Sequence, residues 1–450
     1  MDTSKGMPKT TKQQEAALTM VYNFIRRLRH IGEGDQDRET HPHVTFMIAG
    51  DGWDLTGDIA KMYIETLSVL ITRFAVEGPG RVSKSQVQRR FHESILAALP
   101  GGVPPNPSAN TDFEKRLQVV IDQLREDLMS EGVAWLGWFP IEGIRLGPVQ
   151  KRFGQTTFAH SQSRAFRDKV NKIFKVDLAN IPPDAIPAMK TDRRRGKQEI
   201  WNNFQNVVVA AAPAKAVDVD AAKARMLVEV RLTLDILTFL GALGRPGPHA
   251  HVAVRGDAPS RITPWLLFSG DHANWLPRHR MVHFVDLPGL EKVRPPLFVK
   301  IDRLLRAERT PFVERVLHSL SMAGRAVVED RIDQRFLLYM VALESLVKLR
   351  ASRTAITDRV RTRAAQIVSS QSSERLRVYE RLSSLYDIRS GLVHGGISEK
   401  LNEIEVRDLQ EITCQAIFRM LSASPFKSMT TEQELEDWFL RETFRGRAGY

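Results

Sequence analysis

Hydrophobic and polar positions alternate along this chain with two different periods, and the change between them divides it. Residues 13–29 carry apolar positions at helical spacing and end in the basic run Arg26, Arg27 and Arg29. Val44-Thr-Phe-Met-Ile48 is β-branched and apolar and predicts a buried strand. After Gly50-Asp-Gly52, the positions Ile59, Tyr63, Leu67, Leu70 and Phe74 predict a helix with one apolar face. The run Pro100-Gly-Gly-Val-Pro-Pro-Asn-Pro107 predicts a loop. Thr111 and Glu114 have the spacing of a capping box and predict a helix to about residue 130. Strands are expected over 133–160, and three prolines followed by Arg193-Arg-Arg195 break the pattern over 179–198. The Ala-rich stretch 207–223 reads as a linker or a frayed helix start. A helix is expected over 222–243 and two or three strands over 249–286.

From about residue 297 the pattern becomes helical almost to the end. Phe336, Met340, Leu343 and Val347 form the clearest stripe, within a helix expected over 329–349. Helices near 355–368, 372–384 and 401–423 follow, and Thr431 with Glu434 predicts a capped final helix. The expected fold class is α+β, a mixed α/β N-terminal region followed by an all-α bundle. The expected divisions are 1–180, 181–300, 301–425 and 426–450, the first serving as a sensor.

Composition narrows the function classes. The 450 residues exceed one ordinary domain, and 42% hydrophobic residues suffice to fill cores. A single cysteine excludes a disulfide framework and a thiolate zinc cluster. No eighteen-residue apolar run offers a membrane span, and the polar start lacks the apolar core of a secretory signal, so a cytoplasmic location is expected. Lys plus Arg number 65 against 53 Asp plus Glu, a formal charge of +12 that permits an anionic partner such as RNA.

The string with the most chemistry is Leu385-Tyr-Asp-Ile-Arg-Ser-Gly-Leu-Val-His-Gly-Gly396, which sets Arg389 and His394 five positions apart, with four residues between them, among three glycines. An imidazole moves protons near neutral pH, and a guanidinium forks onto phosphate oxygens. Together they suit cleavage of an RNA phosphodiester without a metal. On an undistorted helix the step rotates by roughly 500°, leaving the two side chains about 140° apart. They meet one phosphate if the glycines let the turn depart from helix, or if a second subunit brings its own pair.

This string resembles the signature of HEPN domains, particularly the Apea-like branch. Phe336-Leu-Leu-Tyr-Met-Val-Ala-Leu-Glu-Ser-Leu346 is similar to that branch's upstream helix. The resemblance covers about residues 300–425. It implies a helical bundle that dimerises and sets two Arg/His pairs in a shared cleft. It also implies a metal-independent endoribonuclease of a toxin or phage-defence system, needing no cofactor. Arg389 matches the phosphate clamp and His394 the general acid or base. Ser390 stands where many members have Asn, Asp or His. The alternative is a non-catalytic dimerising module that binds a nucleotide or nucleic acid.

Flanking residues carry two readings each. Glu344 either orients Arg389 through a charge-assisted pair or forms an exposed i,i+4 pair with Lys348. Asp387 reads as a helix cap and Tyr386 as a core aromatic. The basic cluster of Lys348, Arg350, Arg353, Arg359, Arg361 and Arg363 either tracks an RNA backbone or forms a solvated face. Gly50-Asp-Gly-Trp-Asp-Leu-Thr-Gly57 lies where a phosphate-cradling loop would, but lacks the dinucleotide and Gly-Lys-Ser/Thr patterns. His249 and His251 would share a strand face without an evident third ligand, and Cys414 reads as a small core residue.

Overall fold

The computed structural model describes residues 11–28, 43–48, 51–76, 82–99, 110–130, 132–164, 166, 168, 207–243, 252–255, 257, 262–269, 272–279, 284–293, 295–347, 356–395 and 400–445. These are mostly helical with small sheets, an α+β composition. The chain divides into two compact units, Met1–Gly137 with Pro213–Met226, and Trp138–Ala212 with Leu227–Tyr450. The helical stretch 301–425 thus lies in the same unit as residues 138–212 and 227–300. Among the described residues no helix is long and apolar enough to cross a membrane.

The first unit is built on α1 (Lys12–Leu28), α2 (Gly57–Leu70), α3 (Lys84–Ala98) and α4 (Asn110–Met129). Ala17, Leu18, Val21, Phe24, Ile25 and Leu28 form the buried stripe of α1, spaced three and four apart as a core-facing helix requires. Phe24, Tyr63 and Phe91 meet with ring centroids 5.6–6.1 Å apart. The buried Tyr63 hydroxyl lies 2.7 Å from His92 Nε2, so the core contains a polar pair satisfied internally. Strands β1 (His43–Ile48) and β2 (Asp51–Thr56) pair antiparallel, with Val44 opposite Leu55.

That hairpin corrects one expectation. Residues 51–56 continue as a strand instead of looping from strand to helix, so the Gly50–Gly57 string has no phosphate-loop form. Helix α4 starts at Asn110 and takes Thr111 into its first turn. Glu114 accepts from the Tyr22 hydroxyl and pairs with Arg26 at 3.2 Å, tying α4 to α1.

The main sheet has the order β5 (Lys151–Phe153), β6 (Thr156–His160), β7 (Val208–Ala216), β3 (Val133–Glu142) and β8 (Ala253–Val254), with residues 133–137 and 213–216 assigned to the first unit and the rest to the second. β7 corrects the linker reading of the Ala-rich stretch. Its backbone is paired on both sides, and Ala210, Ala211 and Ala212 are buried, so sheet position overrides the low strand propensity of alanine. Gly154, at φ +62, makes the β5–β6 turn, and its N–H donates to Asp302 at 2.8 Å. Smaller pairings are β4 (Ile144–Arg145) with β11 (Val285–Asp286), parallel, and β9 (Ile262–Ser269) with β10 (His272–His279), antiparallel.

The helices of the second unit are α5 (Val219–Ala242), α6 (Leu287–Val293), α7 (Pro295–Arg306), α8 (Pro311–Val328), α9 (Ile332–Val347), α10 (Ile356–Val368), α11 (Ser372–Gly395), α12 (Glu403–Ser422) and α13 (Glu432–Arg445). The first turns of α5 belong to the other unit. Thr310 caps α8 by accepting from the Val313 N–H, with Pro311 at the first helical position, where its missing donor costs nothing. Phe336, Met340, Leu343 and Val347 are buried where α9 packs on α8 and α12. α10 packs on α11 and α12. The predicted box at the last helix forms in full: the Glu434 N–H donates to Thr431 Oγ1 at 3.2 Å, and the Thr431 N–H donates to Glu434 Oε2 at 3.0 Å.

The helix expected over 372–384 runs on to Gly395, through Gly391. Asp387 therefore sits in a helix interior, exposed, and is not a cap; no backbone N–H is left over there for it to satisfy. Lys348, Arg350 and Arg353 lie outside the described residues, as do His249, His251 and Arg193–Arg195.

Candidate site on helix α11

The Arg389–His394 string occupies the last three turns of α11. Its buried residues Val378, Leu382, Leu385, Tyr386 and Ile388 fix the helix's rotation against the bundle. That rotation turns Arg389 toward α9. Its Nε lies 3.4 Å from Glu344 Oε1, with side-chain exposures of 37% and 16%. The separation exceeds a guanidinium–carboxylate hydrogen bond, roughly 2.7–2.9 Å, so the contact is a charge pair at longer range. The same oxygen, Glu344 Oε1, accepts the Tyr386 hydroxyl at 3.0 Å. A three-residue step on a helix puts Tyr386 and Arg389 on one side, which is why one carboxylate receives both.

Tyr386 is 7% exposed. Burial pushes its hydroxyl above the ordinary tyrosine value, and the charge and hydrogen bond of Glu344 push it further, while Arg389 and Arg361 act in the opposite sense. The hydroxyl thus stays protonated, as a donor, at any ordinary pH. Arg361 on α10 donates to Ser383 Oγ at 2.9 Å and lies over the Tyr379 ring at 5.1 Å. The Tyr379 hydroxyl in turn donates to Asp358 at 2.6 Å. These contacts hold a second guanidinium beside the cluster, half buried on its aromatic support.

Glu344, Tyr386 and Arg389 are therefore brought together. His394 and Ser390 are exposed, and neither joins them. Because α11 is continuous to Gly395, Arg389 and His394 keep their separation of about 140° around its axis. Among the described residues no group of three or more His, Cys, Asp or Glu side chains is arranged to hold a metal ion. Cys414 lies on α12, and burial pushes its thiol up to about 12.

Two features escaped the sequence reading. The polar tip of Tyr386 was one, although a buried tyrosine hydroxyl nearly always finds a partner and Glu344 was already singled out. The Arg361–Tyr379–Asp358 group was the other, and it joins two helices, so no single spacing displays it. No family model, curated protein or solved structure matches the chain.

Proposed function

We propose that this chain is a metal-independent endoribonuclease of the HEPN type that acts as a homodimer in the cytoplasm. Its N-terminal region responds to a trigger in a toxin or phage-defence system. The observation that carries the reading is the meeting of the two strings on which the resemblance rests. Glu344, from the α9 string, receives Tyr386 and approaches Arg389, from the α11 string. In the reaction His394 takes the proton of an RNA 2′-hydroxyl as that oxygen bonds to phosphorus. The bond to the 5′-oxygen breaks, and that oxygen collects a proton from an imidazolium, leaving a 2′,3′-cyclic phosphate and a 5′-hydroxyl. Arg389 neutralises the charge gathering on the non-bridging oxygens. Since α11 stays helical, two copies facing one another are what bring guanidinium and imidazole to one phosphate.

The same continuity favours a second reading. Within one copy Arg389 and His394 diverge, and a module that merely holds an anion needs no convergence. Products separate the two. Wild type, Arg389→Ala and His394→Ala are incubated with labelled RNA in EDTA and the ends analysed, with circular dichroism confirming the helices. The nuclease reading expects cyclic-phosphate ends from wild type and a loss of at least about a hundredfold in each variant, the usual worth of a positioned acid–base or oxyanion group. Intact RNA with wild type means either that the N-terminal region holds the nuclease off or that the binding-module reading is right, and the same assay on residues 300–450, checked for helicity by circular dichroism, separates the two.

A further inference from the structure

Glu344 faces two donors with one oxygen, and they are not equal. The hydroxyl of Tyr386 reaches Oε1 at 3.0 Å, within hydrogen-bond range, whereas Arg389 stands off at 3.4 Å. Other arginines of the same unit hold their carboxylates more closely. Arg309 reaches Glu229 at 2.7 and 2.8 Å, and Arg381 reaches Asp408 at 2.7 Å. Arg389 is also more exposed than those, at 37% against 29% and 27%. Its guanidinium is thus loosely held and open to a second anion.

The cost of releasing Arg389 falls on Glu344. A carboxylate 16% exposed that loses its counter-charge is destabilised unless another donor remains. Tyr386 is that donor, and its hydroxyl is fixed by a buried ring. We propose that Glu344 is a built-in competitor for the anion-binding face of Arg389, and that Tyr386 sets the strength of the competition by satisfying Glu344 when Arg389 turns to a phosphodiester. The inference rests on Arg389 being a phosphate clamp. Tyr386 and Glu344 are positioning residues here, since both act through Arg389. With both in place, a single phosphate does not displace the pair readily, while a strand that supplies several contacts does.

Signs distinguish this arrangement from a merely structural cluster. Removing the competitor must tighten binding; removing the hydroxyl must weaken it, because Glu344 then has Arg389 alone. The probe is a labelled 2′-O-methyl RNA, which lacks the attacking hydroxyl, titrated against the full-length protein at fixed salt, with helicity checked by circular dichroism. Glu344→Gln should tighten binding roughly twofold to fivefold, the range of one partly exposed charge pair. Tyr386→Phe should weaken it by a similar factor. The double variant should match Glu344→Gln, and the gain should vanish in an Arg389→Ala background, which removes any effect of net charge alone. If Arg389→Ala weakens binding but Glu344→Gln does not tighten it, the competitor role is wrong while the clamp stands. If Arg389→Ala leaves binding unchanged, the clamp itself is wrong, and the proposal falls with it.

Discussion

At the scale of single residues, burial decides which polar groups are available for chemistry. Tyr386 is kept as a donor by its surroundings, and Arg389 keeps more than a third of its side chain in solvent beside a carboxylate that is mostly enclosed. Cys414, the single cysteine, shows the same effect on a thiol. With its value pushed up to about 12, its thiolate fraction at pH 8 falls on the order of a thousandfold below that of a free cysteine. Alkylation of the folded protein by iodoacetamide at pH 8 should accordingly be clearly slower than in denaturant. Comparable rates in the two states would mean that Cys414 is open to solvent.

At the scale of elements, backbone approach sets the architecture. A Cβ on Gly324 of α8 would lie 2.0 Å from the carbonyl oxygen of Asp235 on α5. That close packing is fastened by Ser321 and Arg325, which donate to Asp235 Oδ2 at 2.5 and 2.8 Å. Gly324→Ala would add helix propensity worth about 1 kcal/mol. The clash is with backbone and no rotamer relieves it, so it belongs at the upper end of the about 1–3 kcal/mol typical of overpacking. Chemical denaturation should show a net loss of about 1–2 kcal/mol; a more stable variant would show that α5 and α8 separate freely. Arg363 fastens α13 similarly. It donates to Val347 O at 3.1 Å and Glu436 at 2.5 Å, and lies over the Phe439 ring at 4.8 Å. α9, which carries Glu344, thus has its last carbonyls held by side chains from its neighbours, Ser345 O by Arg315 as well.

At the scale of the whole molecule, charge and protonation govern stability and partners. The excess of twelve positive charges draws polyanions generally, so salt should weaken every RNA interaction, specific or not. Stability also depends on pH through His92, which is 7% exposed beside Tyr63. Burial lowers its folded-state value below the ordinary 6.5, so the unfolded chain takes up the proton first. The stabilisation is present above about pH 6.5 and is lost as the pH falls through that value. Thermal unfolding between pH 7.5 and 5 should show a falling midpoint that His92→Gln flattens; an unchanged slope would clear His92 of the effect.

The local pattern determined much of this protein. The stripes of α1, α2 and α9, the box at Thr431 and Glu434, and the string on α11 all rest on neighbours within a few residues, where helical periodicity and capping act. The end of α11 was not legible, because its glycines permit a break that the packing of Leu385, Tyr386 and Ile388 does not use. Nor was β7, whose alanines form a strand because partners on both sides pair its backbone and bury it. The candidate site divides in the same way. Arg389 and His394 stand out as residue types in sequence. That Glu344 answers to Tyr386 at 3.0 Å and to Arg389 at 3.4 Å was decided by the packing of two helices whose meeting residues lie more than forty apart in sequence, since hydrogen-bond geometry at that range depends on where the backbones come to rest.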